Sequence, residues 1–190
     1  MLLMSVNLKR HLTAIAAAVL LGGPVTGGFA RAEPAPPEML DRLAEASEVD
    51  APNIARELEQ IWSRSGSAAM DLLLKRGRDA LEAEDFPLAI EHLTALTDHA
   101  PDFAEGYSAR AEAFFRADLY GPALADLERA LALNPHNFNA IFGLGVMFQE
   151  FGNYRRAARL YRRVLAIYPH HKEAATALSY LKREGIGREL

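Results

Sequence analysis

Residues 143–152 read GLGVMFQEFG. Gly143 and Gly145 stand two apart and Gly152 follows, which invites comparison with a dinucleotide-binding loop. The G-x-G-x-x-G fingerprint requires its third glycine at residue 148, where this chain has Phe148. It also requires a β-strand feeding the turn, whereas the preceding NPHNFNAIF carries a helix-start signal and no strand. These glycines serve another purpose, which shows itself over a longer window.

Three windows of 34 residues, beginning at Met70, Ala104 and Phe138, place the same residue types in the same columns. The eighth place is small: Gly77, Ala111 and Gly145. The seventeenth is aromatic (Phe86, Tyr120, Tyr154), the twentieth is alanine (Ala89, Ala123, Ala157), and the thirty-second is proline (Pro101, Pro135, Pro169). The twenty-fourth is large: Leu93, Leu127 and Tyr161. Small residues in a first helix let a second helix approach closely, and proline ends that second helix. Gly145 therefore reads as a packing residue that gives up about 1 kcal/mol of helix propensity, and Gly152 reads as a helix terminator.

With this period and these columns, the chain resembles the tetratricopeptide repeat family over residues 70–171. The resemblance implies an all-α, right-handed solenoid of helix–turn–helix units with terminal capping helices. The family's large residue at the fourth place is met by Leu73, Tyr107 and Ile141. Its leucine at the seventh place is kept at Leu144 but replaced by Arg76 and Arg110. The register predicts repeats at 70–103, 104–137 and 138–171, with helices at 70–83, 87–99, 104–117, 121–133, 138–151 and 155–167. Residues 172–190 read as a C-terminal cap with a helix at 172–184.

Residues 33–69 read as a linker and an N-terminal helical cap. Within them, 38–63 is a degenerate half-repeat with Ala55 in the alanine column and Asp50 as helix cap before Pro52. Ile54, Leu58, Ile61 and Trp62 form its apolar face, and SRSGS is the joint to the first repeat. An independent amphipathic helix is the other reading of the same pattern.

Lys9 and Arg10, the apolar run Leu12 to Leu21 and the small residues Ala30 and Ala32 follow the three-part pattern of a secretory signal peptide covering 1–32. The run falls short of the roughly 20 residues that span a bilayer. Cleavage after Ala32 leaves 18 basic and 25 acidic residues, net −7. Residues 33–133 hold 9 basic against 21 acidic, and 134–190 hold 9 against 4. An acidic exported chain is a poor candidate for nucleic-acid binding. With no cysteine, disulfides, thiolate metal sites and a cysteine nucleophile are excluded. The expected location is the periplasm of a Gram-negative bacterium, or outside the cell.

No catalytic pattern emerges. GYSAR lacks the second glycine of a nucleophile elbow, since Arg110 stands there. His170 and His171 read as solvated turn residues, as do His92 and His99 on one helix face, and no metal or cofactor is expected. The carboxylates Glu82 to Asp85 read as a solvated run. Arg155, Arg156, Arg159, Arg162 and Arg163 make a basic outer stripe, either a solvated face or a dock for an acidic partner or anionic lipid.

The family resemblance implies that first helices line a concave groove that binds a partner protein's peptide or helix. The inward places hold Leu74, Arg78, Leu81, Ser108, Glu112, Phe115, Asn139, Phe142, Val146 and Gln149, with Tyr180 from the cap. Chaperone-binding members clamp a terminal carboxylate with Lys and Asn. The matching places here hold Leu74, Arg78, Ala109, Asn139 and Gly143, so that clamp is not expected. The expected function is a non-enzymatic scaffold in the bacterial envelope. The alternative is an assembly factor held at the membrane by an uncleaved N-terminal segment, with its Arg-rich face on lipid.

Overall fold

The computed structural model describes residues 36–183. The leader and its cleavage point lie outside that range, as does GIGREL at 185–190. Among the described residues there are nine helices: α1 Pro37–Glu45, α2 Ala51–Trp62, α3 Ala68–Glu82, α4 Phe86–His99, α5 Ala104–Arg116, α6 Tyr120–Leu133, α7 Phe138–Glu150, α8 Tyr154–Ile167 and α9 Lys172–Arg183. No strand occurs among them.

Helices α3 and α4, α5 and α6, and α7 and α8 pair within the repeats, and each pair stacks on the next. The side chains of Asp85, Asn137 and Asn153 accept hydrogen bonds from Leu88, Ala140 and Arg156 N–H, capping α4, α7 and α8. Between the paired helices, one residue per repeat turns left-handed: Glu84, Asp118 and Gly152, with φ of 58°, 60° and 71°. Glycine meets that requirement without a Cβ penalty, whereas Glu84 and Asp118 adopt it at a cost.

The small eighth column meets the large twenty-fourth. A methyl group at Gly77 would overlap the Leu93 side chain, and one at Gly145 would stand 2.7 Å from the Tyr161 ring. Ala89, Ala123 and Ala157 are all fully buried. The seventh column faces the preceding repeat, which explains its two departures. Leu144 packs with Leu127 and Ala130 of α6. Arg110 forms a bidentate pair with Asp126 at 2.7 and 2.9 Å and donates to Thr97 Oγ1 at 2.7 Å and Thr94 Oγ1 at 3.3 Å. Its hydrogen bonds to Asp126 outweigh burial and raise its pKa, so it stays charged. Arg76 has no preceding repeat to meet and is exposed.

At the C-terminus, α9 stacks on α8 and buries Ala174, Leu178 and Leu181. The N-terminal segment departs from expectation in two ways. It is two helices, broken at 46–50, and it does not cap the first repeat. Met39, Leu43, Ala55, Leu58 and Trp62 belong to a core with α7, α8 and α9, and α1 packs against α8. The Trp62 ring lies 5.2 Å from that of Phe138. Asp50 does not cap α2 with its side chain. Instead the Ser47 hydroxyl accepts from Asp50 N–H and donates to its carboxylate at 2.7 Å. The SRSGS joint is fixed by Ser65, which donates to Asp71 Oδ1 through both its N–H and its hydroxyl, at 2.8 and 2.6 Å.

Candidate binding groove

The first helices of the repeats, α3, α5 and α7, line the inner face. One half of that face is occupied by α2. Asn139 Nδ2 donates to Glu59 Oε1 at 2.8 Å, and Arg78 donates to Ser63 Oγ at 3.0 Å. Arg78 also forms a tight ion pair with Glu105, which accepts a further bond from Asn137 Nδ2 at 3.1 Å. Burial pushes the Glu105 pKa up, against the opposing pull of Arg78 and Asn137.

The other half is open, a cavity of about 480 Å³ lined by α3, α5, α6 and α7. Phe115, Phe142, Val146 and Met147 supply apolar wall, while Ser108, Glu112 and Asn139 supply polar groups. Apolar concavities with a few convergent polar groups are the usual form of a binding site. Arg78, Ser108, Glu112, Phe115, Asn139, Phe142 and Val146 line this one cavity.

The remaining predicted groove residues are placed elsewhere. Leu74 and Leu81 are buried in the first repeat's core, where Ala109 and Ala113 are small enough to let α5 close over them. Gln149 accepts a hydrogen bond from the Tyr161 hydroxyl at 3.0 Å and is not part of the cavity wall. Tyr180 is exposed on α9, also outside that wall. Glu105 and Met147 join the wall without having been named as inward residues. Glu105 shares the second column with Asn139, and that column was the available signal.

The pair His170 and His171 also needs correcting. His171 is buried among the rings of Phe142, Tyr168 and Phe138, at 5.1, 5.4 and 6.3 Å. Its Nδ1 accepts from Ala174 N–H at 3.2 Å, which requires that nitrogen to be unprotonated. Burial lowers its pKa, and this outweighs the nearby carboxylates of Glu173 and Glu59. His170 donates to the Ala46 carbonyl at 3.1 Å, tying the α1–α2 loop to the α8–α9 turn. His92 is half-buried and His99 exposed on α4.

On α8, Arg155, Arg156, Arg159 and Arg163 are exposed and Arg162 is half-buried. Arg156 lies 5.0 Å over the Phe148 ring, and Arg163 donates to the Pro135 carbonyl.

Comparison with known proteins gives a consistent result. Models of the tetratricopeptide repeat match residues 74–138 and 115–179, together more than half the chain. A TPR repeat-containing protein of Rhizobium etli is 29% identical over 161 residues, covering 82% of this chain and 79% of its own. Human serine/threonine-protein phosphatase 5 is 29% identical over 102 residues, but these span 54% of this chain and only 20% of that protein. Among solved structures, the first TPR of Spaghetti (RPAP3) bound to the HSP90 peptide SRMEEVD aligns with a TM-score of 0.60 and 25% identity, covering 64% of this chain and 96% of that one. The repeat columns, the stacked helix pairs and these matches agree: the chain belongs to the tetratricopeptide repeat family.

Proposed function

We propose that this chain is a non-enzymatic binding module that holds a segment of a partner protein in the open half of its inner face. The observation that carries this reading is the cavity walled by Phe115, Phe142, Val146 and Met147. Ser108 stands within the same wall to hydrogen-bond a bound backbone. The peptide-bound RPAP3 structure supports a protein segment as the occupant. Two positions that matched the carboxylate clamp are engaged within the chain, Arg78 by Glu105 and Asn139 by Glu59. A terminal carboxylate is therefore not the feature recognised.

The N-terminal pattern supports export, with the working protein starting at Glu33 in the bacterial envelope. The mass of the protein recovered from the envelope tests this directly. A full-length chain found only in the cytosol defeats it, and a full-length chain in the membrane favours the anchored alternative.

The groove is tested by placing a photo-crosslinking residue at Val146 or at Arg159 and identifying what each captures in cells. Capture through Val146, weakened about tenfold or more by Phe142→Ala, is the expected result. Capture through Arg159 alone, with Phe142→Ala silent, transfers the site to the outer stripe.

A further inference from the structure

The open half of the groove does not end at its wall. The Phe115 ring lies 5.7 Å from Tyr120, and Tyr120 lies 5.5 Å from Phe151, both contacts edge-on. Tyr120 begins α6 and Phe151 follows the end of α7, so the three rings run from the cavity toward the turns of repeats two and three. Tyr120 is 38% exposed, Phe151 53% and the adjacent Leu119 46%. Single exposed apolar residues need no explanation, but a contiguous apolar strip leading out of a groove marks an interaction surface.

Carboxylates stand along this strip. Glu112 shares the cavity wall with Phe115. Asp118 accepts the Tyr120 hydroxyl at 2.6 Å. That bond, with lesser help from burial and from the Asp118 and Glu150 charges, raises the Tyr120 pKa. Two guanidiniums near the groove are engaged within the chain. Arg78 is paired with Glu105. Arg116 donates to the Leu81 carbonyl, lies 4.9 Å over the Phe86 ring and faces Glu84 and Glu112. Aromatic faces and carboxylates side by side attract the same side chains, since ring faces and carboxylates both favour cations. The HSP90 peptide SRMEEVD bound by the similar RPAP3 repeat carries three acidic residues in its last four.

We propose that the groove and its aromatic strip receive a basic, apolar segment of a partner protein. Its apolar side chains sit against Phe115, Phe142 and Val146. Its Lys or Arg side chains lie over Tyr120 and Phe151, near Glu112, Asp118 and Glu150. This rests on the groove being the binding site and adds the chemistry of what enters it.

The test titrates the purified chain with three short fluorescein-labelled peptides. One is built from Leu, Phe and Lys; the second has Glu for every Lys; the third has Ser for every Leu and Phe. The first should bind tightest. Phe151→Ala, at an exposed position with little role in folding, and Phe142→Ala should each weaken it about tenfold. Glu112→Lys combined with Glu150→Lys should move the preference toward the acidic peptide. If the acidic peptide binds the unaltered chain better and Phe142→Ala weakens it, the charge class is wrong and the groove stands. If acidic binding is instead lost on Arg159→Glu with Arg162→Glu, the outer stripe is the site and both readings fall. Equal binding of the Ser-containing peptide, or binding of none, likewise overturns the proposal.

Discussion

Helix α9 lies where the first helix of a fourth repeat would lie, stacked on α8 with Leu178 and Leu181 buried. Helix α2, at the other end of the chain, has an equally apolar face but leaves the stacking register. It crosses the inner face to reach residues 80 positions away, as in the bond between Glu59 and Asn139. The difference follows from what each end of the array offers. The C-terminal end presents the apolar face of α8, whose Tyr161 and Val164 are fully buried. The N-terminal end presents Arg76 at the column that faces a preceding repeat. A helix stacked there would cover an unpaired guanidinium, which costs more than apolar contact returns. The aromatic hollow around Phe138, Phe142 and Tyr168 offers Trp62 a place without that cost. An apolar face thus needs a matching surface, and sequence adjacency does not guarantee one.

The strongest way to break this comparison is Trp62→Ala. Removing a side chain only 3% exposed should cost about 3–5 kcal/mol in denaturant unfolding. Hydrogen exchange should quicken in α1 and α2 while α4 and α5 stay protected. An unchanged melt with slow exchange in α2 would mean that the hairpin is held by something other than this contact.

Leu181→Ala probes the other end. The expected cost is about 2–5 kcal/mol, because Leu181 is fully buried. Exchange should quicken first in α9. If α2 loosens before α9, the two ends are one cooperative unit and the contrast drawn here disappears.

His171 sits where the two ends meet, and it predicts a pH dependence. Its folded pKa lies below the ordinary 6.5, because burial disfavours the charged ring. The folded state therefore resists protonation. Its contribution to stability is complete above the ordinary histidine value and is lost as pH falls through it. His171→Asn keeps a side-chain acceptor for Ala174 N–H but cannot titrate. Unfolding free energies of the two proteins should converge as pH is lowered from 8 to 5.5. Parallel curves would remove His171 as the titrating group.

The smallest effect belongs to Asn139→Ala. Its bond to Glu59 is solvent-exposed, so the loss should be about 0.5–1 kcal/mol. A loss as large as that of Trp62→Ala would make polar contacts, and not ring packing, the basis of the hairpin's docking.

Much of the groove was readable because repeat columns have fixed facing. Phe115, Phe142, Val146 and Asn139 occupy inward columns and stand in the cavity wall. Leu74 and Leu81 occupy inward columns too, yet are covered, because Ala109 and Ala113 bring α5 close. Tyr180 misses the wall because it lies on the helix beyond the open half. Column position reports direction, whereas exposure depends on the size of the neighbours.

The amino-acid sequence by itself determined the repeat: its period, the Gly77–Leu93 and Gly145–Tyr161 contacts, and the stacking order of α3 to α9. Those features depend on residues close in the chain, and each recurs with every repeat, so the pattern announces them. Tertiary structure alone decided three further matters. It decided that α2 fills half the inner face, that Arg110 replaces leucine by pairing with Asp126, and that Phe115, Tyr120 and Phe151 join into one strip. Each occurs once and depends on particular residues that do not recur from repeat to repeat. No periodic signal encodes such contacts; they form only where the folded surfaces happen to fit in shape and charge.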